Sequence, residues 1–156
     1  MSEKMRGAIF SALGDISGLT VLDAYSGSGA LAIESISRGA IFALVIESDP
    51  RALKVITENL KVLGLTRKVK LVFAKVESWL KYSSDLDNMY DLIFADPPYS
   101  DLPEDYTLNS LCAHLKASGI FVLSWPGRAD LPQLAKLKLV KNKSFNDAQI
   151  AFYKAG

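Results

Sequence analysis

The sequence predicts an α/β fold: a doubly wound, mostly parallel sheet closed by an antiparallel C-terminal hairpin. Two observations lead there. Apolar runs of strand length alternate five times with stretches whose apolar residues recur at helical spacing, the pattern of parallel strands joined by helical crossovers. After residue 136 the pattern changes. Leu137 and Leu139 alternate with Lys136, Lys138 and, after a break, Lys141, and then Ile150 and Phe152 alternate with Ala151 and Tyr153. Asn146-Asp147 lies between the two runs, so they read as a hairpin whose first strand has one greasy and one basic face.

Each element has its own punctuation. Ser2 is placed to cap a first helix lined by Met5, Ile9 and Leu13 and ended by Gly14. Gly7 inside that helix costs about 1 kcal/mol relative to alanine, so the helix depends on packing. Residues 20–25 form the first strand, Ser26-Gly27-Ser28-Gly29 a tight turn, and 30–38 a helix closed by Gly39. The second strand, 42–47, leads to Asp49 as a cap and Pro50 as the first residue of a helix carrying Leu53, Ile56, Leu60 and Leu63, stopped by Gly64. A third strand over 69–73, a short helix over 77–82, a fourth strand over 91–95, a helix over 106–115 and a fifth strand over 119–125 follow. No linker or repeat divides the chain. One domain over residues 1–156 is expected, with the N-terminal helix in 1–18 and the sheet in 19–156.

Composition narrows the possible functions. With 156 residues, 49% of them hydrophobic and 22% charged, the chain can bury a core and is too apolar for disorder. A net charge of +1 provides no global field for nucleic acid, so any such contact must be local; Lys4 and Arg6, the Arg67-Lys68-Lys70 group and the lysines of 136–143 are the candidates. The single cysteine, Cys112, excludes an internal disulfide, and no Cys/His group has metal-ligand spacing, so no metal is expected. Cys112 reads as a small core residue on a helix, and His114, the one histidine, has no partner acid nearby in sequence. The polar N-terminus and short apolar runs predict a cytoplasmic protein that does not enter a membrane.

The chemistry concentrates where the fourth strand stops, at Asp96-Pro97-Pro98-Tyr99. Prolines cannot donate to a sheet ladder, so the strand ends there and Asp96 and Tyr99 are left at its carboxyl edge, where open α/β sheets bind ligands. A carboxylate and the first proline's carbonyl can accept the two hydrogens of a planar NH2 group while the aromatic ring stacks on its face. Upstream, a strand, Gly27-Ser28-Gly29, a helix and an acid, Glu47, ending the next strand are common to nucleotide cofactors of this architecture, with the acid on the ribose hydroxyls. The third glycine of the dinucleotide fingerprint is missing. Topology places Asp23, Glu47 and Asp96 around one crevice, and three carboxylates would repel a pyrophosphate but attract the sulfonium and ammonium of S-adenosylmethionine.

With Asp23 through Gly29, Ala30-Leu31, Glu34, residues 37–40, Glu47, Asp96-Pro97-Pro98-Tyr99 and the ending from Phe145-Asn146-Asp147 to Tyr153 in order, nearly the whole chain resembles the Rossmann-like S-adenosylmethionine-dependent amino-methyltransferases. More closely, it resembles the bacterial 16S ribosomal RNA guanine-N2 methyltransferases called RsmD. The resemblance implies a seven-stranded sheet with its last strand antiparallel. It implies that Asp23, Ser26, Gly27 and Gly29 surround the methionine part of the cofactor, that Glu47 and Ser48 hold the ribose, and that Lys75 and Val76 border the adenine. Asp96, Pro97, Pro98 and Tyr99 would grip the guanine, with Asp96 also facing the cofactor. The implied partner is ribosomal RNA, in an assembled small subunit, met by a monomer. The chain departs from the class at Lys75, where an Asp or Asn often meets the adenine amine, and at Leu123, where the subgroup often ends its fifth strand with a glutamate. Three other readings share these features: an N-methyltransferase acting on adenine N6 or protein glutamine, an NAD- or nucleotide-binding oxidoreductase, and a non-catalytic RNA-assembly factor of the same fold.

Overall fold

The computed structural model describes residues 1–83 and 88–156. The strands are β1 (Thr20–Asp23), β2 (Phe42–Glu47), β3 (Val69–Phe73), β4 (Tyr90–Ala95), β5 (Leu115–Pro126), β6 (Leu137–Ser144) and β7 (Ala148–Ala155). The helices are α1 (Glu3–Leu13), α2 (Ala30–Ser37), α3 (Pro50–Leu63), α4 (Val76–Tyr82) and α5 (Asp105–Cys112). All seven strands join one sheet in the order β3-β2-β1-β4-β5-β7-β6. The first five are parallel to one another, and β7 runs antiparallel to both β5 and β6.

Alternate residues of each central strand enter opposite cores, which is why these strands read as unbroken apolar runs. Val21, Val45, Leu92, Phe94, Val122, Ile150 and Phe152 pack with Ile9 and Phe10 of α1, Leu31 and Ile36 of α2, and Ile56 and Leu60 of α3. Leu22, Ile46, Ile93, Leu123, Ala151 and Tyr153 pack on the other side with Val76 of α4 and Leu108 and Leu111 of α5. The expected caps form: Ser2 Oγ accepts from the Met5 amide at 3.2 Å, and Asp49 Oδ1 from the Arg51 amide at 2.9 Å. Gly64 closes α3 with φ of 69°.

The first strand, expected to run to residue 25, ends at Asp23, and a larger correction falls near residue 115. The helix expected over 106–115 ends at Cys112, and β5 begins at Leu115 rather than at 119. The reason is a long-range pairing: the Tyr90 amide donates to the His114 carbonyl at 2.7 Å and Lys116 reaches Asp91 at 3.2 Å, so the chain joins the sheet early. The ladder then jumps from Leu115 opposite Tyr90 to Ile120 opposite Leu92, bulging out the residues between. Gly119 is required at the bulge, because a Cβ there would lie 2.9 Å from the Asp91 carbonyl.

Candidate active site

Strand order reverses between β1 and β4, and in an open α/β sheet the crevice at such a reversal is where ligands bind. β1 ends at Asp23 and β4 at Ala95, so Asp23 and Asp96 come from neighbouring strands at the same edge. A cavity of about 840 Å³ opens there, floored by Ala24, Tyr25, Gly27 and residues 46–49 and 74–77 and walled by the segment after β4. Its lining is strongly acidic: Glu47, Asp49, Glu77, Asp96, Asp101 and Glu104 face it against one lysine, Lys75.

Asp23 lies beneath this lining and is completely buried. Its Oδ2 accepts from Ser26 Oγ at 3.0 Å, whereas Oδ1 has no hydrogen-bond partner. Burial pushes its pKa up to about 7; the Ser26 hydroxyl and the Ala32 amide oppose the rise, while the charges of Asp96 and Glu47 add to it. Glu47 sits at the rim. Its Oε1 accepts from the Gly27 amide at 2.7 Å, and its Oε2 from the amides of Ser48 and Asp49 at 2.9 and 2.8 Å. A carboxylate has about four acceptor positions. One position therefore remains for a ligand hydroxyl, and a second hydroxyl would have to displace one of the amides. The Gly27 amide, which in a dinucleotide site would face phosphate, is already turned onto a carboxylate.

At the end of β4 the two prolines behave differently. The Pro98 carbonyl accepts from the Asp101 amide at 3.0 Å, whereas among the described residues no hydrogen bond ends on the Pro97 carbonyl. Asp96 is half-buried, and burial raises its pKa against the opposing influence of the Ser124 hydroxyl and the chain's amino group, which lies 4.0 Å from Oδ2. Tyr99 is 39% exposed and is anchored by its phenol, 2.6 Å from Ser124 Oγ. Ser124 itself is only 2% exposed. It fixes the ring at one corner and leaves much of it open.

Of the residues singled out from sequence, Gly27, Glu47, Ser48, Lys75, Val76, Asp96 and Pro98 line the cavity. Asp23 and Ser26 form a hydrogen-bonded pair at its base, and Pro97 is buried behind Pro98. Tyr99 stands outside the lining, three residues after Asp96, with its phenol held by Ser124. Gly29 does not line the cavity either. It begins α2 with φ of 80°, and a Cβ there would come within 3.2 Å of Ile56, so its smallness serves the seating of α2 on α3. Ser124 was missed. A single serine in an apolar strand carries no local signal; only its pairing position and its 2.6 Å contact identify it. Tyr25 was also passed over. Its hydroxyl is buried without a partner near Glu77 and Asp101, and burial raises its pKa. His114 has a structural place, with Nδ1 3.0 Å from the Asn88 carbonyl and its ring against Trp79.

A family model described as "Conserved hypothetical protein 95" matches residues 1–154. The "Putative rRNA methyltransferase YlbH" of Bacillus subtilis (strain 168) is 28% identical over 157 aligned residues, which cover 98% of this chain and 85% of that protein. The "Ribosomal RNA small subunit methyltransferase D" of Buchnera aphidicola subsp. Acyrthosiphon pisum (strain APS) is 36% identical over 90 residues, covering 58% of this chain and 46% of that one. Among solved structures, a conserved hypothetical protein of Streptococcus pyogenes superposes with a TM-score of 0.88 at 30% identity, over 97% of this chain and 95% of that one. A match through residues 1–154 means that the chain belongs to the family described as conserved hypothetical protein 95, the RsmD-type methyltransferases.

Proposed function

We propose that this protein is an S-adenosylmethionine-dependent methyltransferase that modifies the exocyclic N2 amine of a guanine in small-subunit ribosomal RNA, acting as a monomer on the assembled subunit. The observation that carries the reading is the junction at the end of β4, where half-buried Asp96 lines an acidic cavity and is followed three residues on by Tyr99, an aromatic ring whose phenol is anchored on Ser124.

The residues present fit a cationic cofactor. The six carboxylates of the lining, with Asp23 buried beneath them, favour positive over negative charge. Asp23, Ser26 and Gly27 would hold the methionine part, Glu47 and Ser48 the ribose, and Lys75 and Val76 the adenine. S-adenosylmethionine supplies a methyl group on cationic sulfur, with a neutral thioether as leaving group.

The chain's own residues do the rest by positioning. The amine of guanine is a poor nucleophile because its lone pair is delocalised into the ring. Asp96 and the Pro97 carbonyl would accept its two hydrogens, drawing the nitrogen toward a pyramidal shape with the lone pair directed into the cavity. Stacking on Tyr99 would contribute about 1 to 3 kcal/mol of base binding. The nitrogen becomes acidic once alkylated and releases its proton to Asp96 or water, so no histidine base is needed. The raised pKa of Asp96 suits it to accept that proton. In a chain of 156 residues with net charge +1, a base presented by a shaped ribonucleoprotein suits the site better than one extracted from a free duplex.

The test is to incubate the protein with methyl-labelled cofactor and, separately, assembled small subunits, naked ribosomal RNA, DNA and protein fractions, and to identify the labelled product. N2-methylguanine from small subunits is expected. Label in adenine or glutamine would redirect the assignment to another planar amine. Cofactor binding without transfer would support an assembly factor, and thermal stabilisation by NADH in place of S-adenosylmethionine would end the reading.

A further inference from the structure

From the register of the edge strand we infer that the α1-side face of β6, with Lys154 of β7 beside it, is the track for the phosphodiester backbone of the RNA whose base enters the Asp96–Tyr99 clamp. The inference rests on the function proposed above and adds where the substrate lies. β6 is the last strand of the sheet, pairs only with β7, and is exposed from Lys138 through Ser144. No acidic residue occurs between Asp130 and Asp147, a stretch that contains Lys136, Lys138, Lys141 and Lys143.

Register decides which way these lysines face. Lys138 is opposite Lys154, Lys141 opposite Phe152 and Lys143 opposite Ile150. Directly opposed residues of an antiparallel pair project from the same face, and Phe152 and Ile150 enter the core beneath α1. Lys138, Lys141, Lys143 and Lys154 therefore share the α1 face. Simple alternation would have put Lys138 on the face opposite Lys141 and Lys143. One extra residue, Val140, is inserted between Leu139 and Lys141 and brings the three into line.

Edge strands often carry lysine merely to discourage pairing with another sheet, and any face would serve for that. Here the lysines are gathered on one face, and Lys138 stands directly opposite Lys154, a like-charge pair that weakens the hairpin. Among the described residues none of the four is in an ion pair. A bound polyanion would relieve that repulsion. The row ends beside the clamp strand: Lys143, Ile150 and Ser124 are in register across three strands, with Ile150 buried between the two polar residues, and Ser124 holds the Tyr99 phenol. At a strand spacing of about 4.8 Å, Lys143 lies roughly 10 Å from Ser124 along the sheet. Ser124, between two residues of the opposite core, shares the α1 face with the lysines.

The experiment measures binding of a fluorescent single-stranded oligoribonucleotide over a range of potassium chloride concentrations. It compares the wild type, a variant combining K138E, K141E, K143E and K154E, and a control carrying R67E, K68E and K70E at the far edge of the sheet. Four lost phosphate contacts should flatten the slope of log affinity against log salt by roughly 3, since each contact contributes about 0.7 on a single strand. The control should keep the wild-type slope. Cofactor affinity of the four-lysine variant, measured by calorimetry, should stay at the wild-type value and so report an intact fold. An unchanged slope in the four-lysine variant overturns the inference, as does a slope lost in the control instead, or tighter binding to anionic lipid vesicles than to RNA. Binding is read without methyl transfer, so failure of the proposed reaction and failure of the track are separately visible.

Discussion

The acidic cavity and the lysine row are opposite solutions to the handling of charge in a chain whose charges nearly cancel. In the cavity, Asp23 is fully buried, has one oxygen without a partner, and has its pKa pushed up to about 7 by that burial. On β6 the lysines stay exposed, and Lys138 is set directly opposite Lys154, like charge against like. Charge held in low dielectric acts strongly on one small ligand and is little screened, whereas charge on an open strand acts weakly on a long one and fades with salt. A net charge of +1 conceals both, because it sums two regions of opposite sign. Asp96, Ser124 and Tyr99 stand where the two regions meet.

Breaking that junction should have the largest effect. Asp96→Ala removes the acceptor for the amine and should reduce methyl transfer by at least about 100-fold, the scale of losing one preorganised electrostatic contact. Cofactor affinity, followed by calorimetry, should stay within a few fold. Full turnover by this variant would remove Asp96 from the assigned role.

The cavity side is tested by pH. Unfolded, Asp23 releases its proton near 3.8; folded, it holds the proton up to about 7. The folded state therefore binds more protons between those values, and this residue's contribution to stability is full below pH 4 and is lost as pH rises through 7. Asp23→Asn should raise the melting temperature more at pH 8 than at pH 5. It should also remove a component of cofactor binding that strengthens in the wild type as Asp23 ionises. A melting-temperature difference that is flat with pH would contradict a carboxyl whose proton affinity is raised by burial.

A smaller effect should follow from Ser124→Ala. Tyr99 is partly exposed and water can replace the lost contact, so about 1 kcal/mol, or roughly fivefold, is expected. The change should appear in the KM for RNA more than in cofactor affinity, and Ser124→Thr should restore it. An equal loss in both quantities would make Ser124 a packing residue only. Smaller still, Lys138→Gln would remove one lysine from the row and relieve the like-charge pair with Lys154. A salt slope lowered by about 0.7, one contact's worth, is expected.

Much of this protein follows from the sequence by itself. Strands, helices and their order are local consequences of apolar spacing and of terminators such as Gly64, Pro50 and the Pro97-Pro98 pair, which act within a few residues. Asp23, Glu47 and Asp96 were legible at the crevice for the same reason, since each ends or directly follows a strand and parallel strands end on one edge; Asp49, Glu77, Asp101 and Glu104 join them only in the folded chain. Tertiary structure alone decided the rest. The early start of β5 depends on Tyr90 and Lys116 finding partners across the sheet, against a helical pattern that ran on to residue 115. Ser124 enters the site because a strand 25 residues beyond Tyr99 lies beside β4. The lysines share a face because of one inserted residue, and in a structure with a side-chain period of two, a single insertion reverses every position after it. Local propensity carries no information about which strand will be a neighbour or in what register. Those depend on long-range pairing, and here they determine where the substrate would lie.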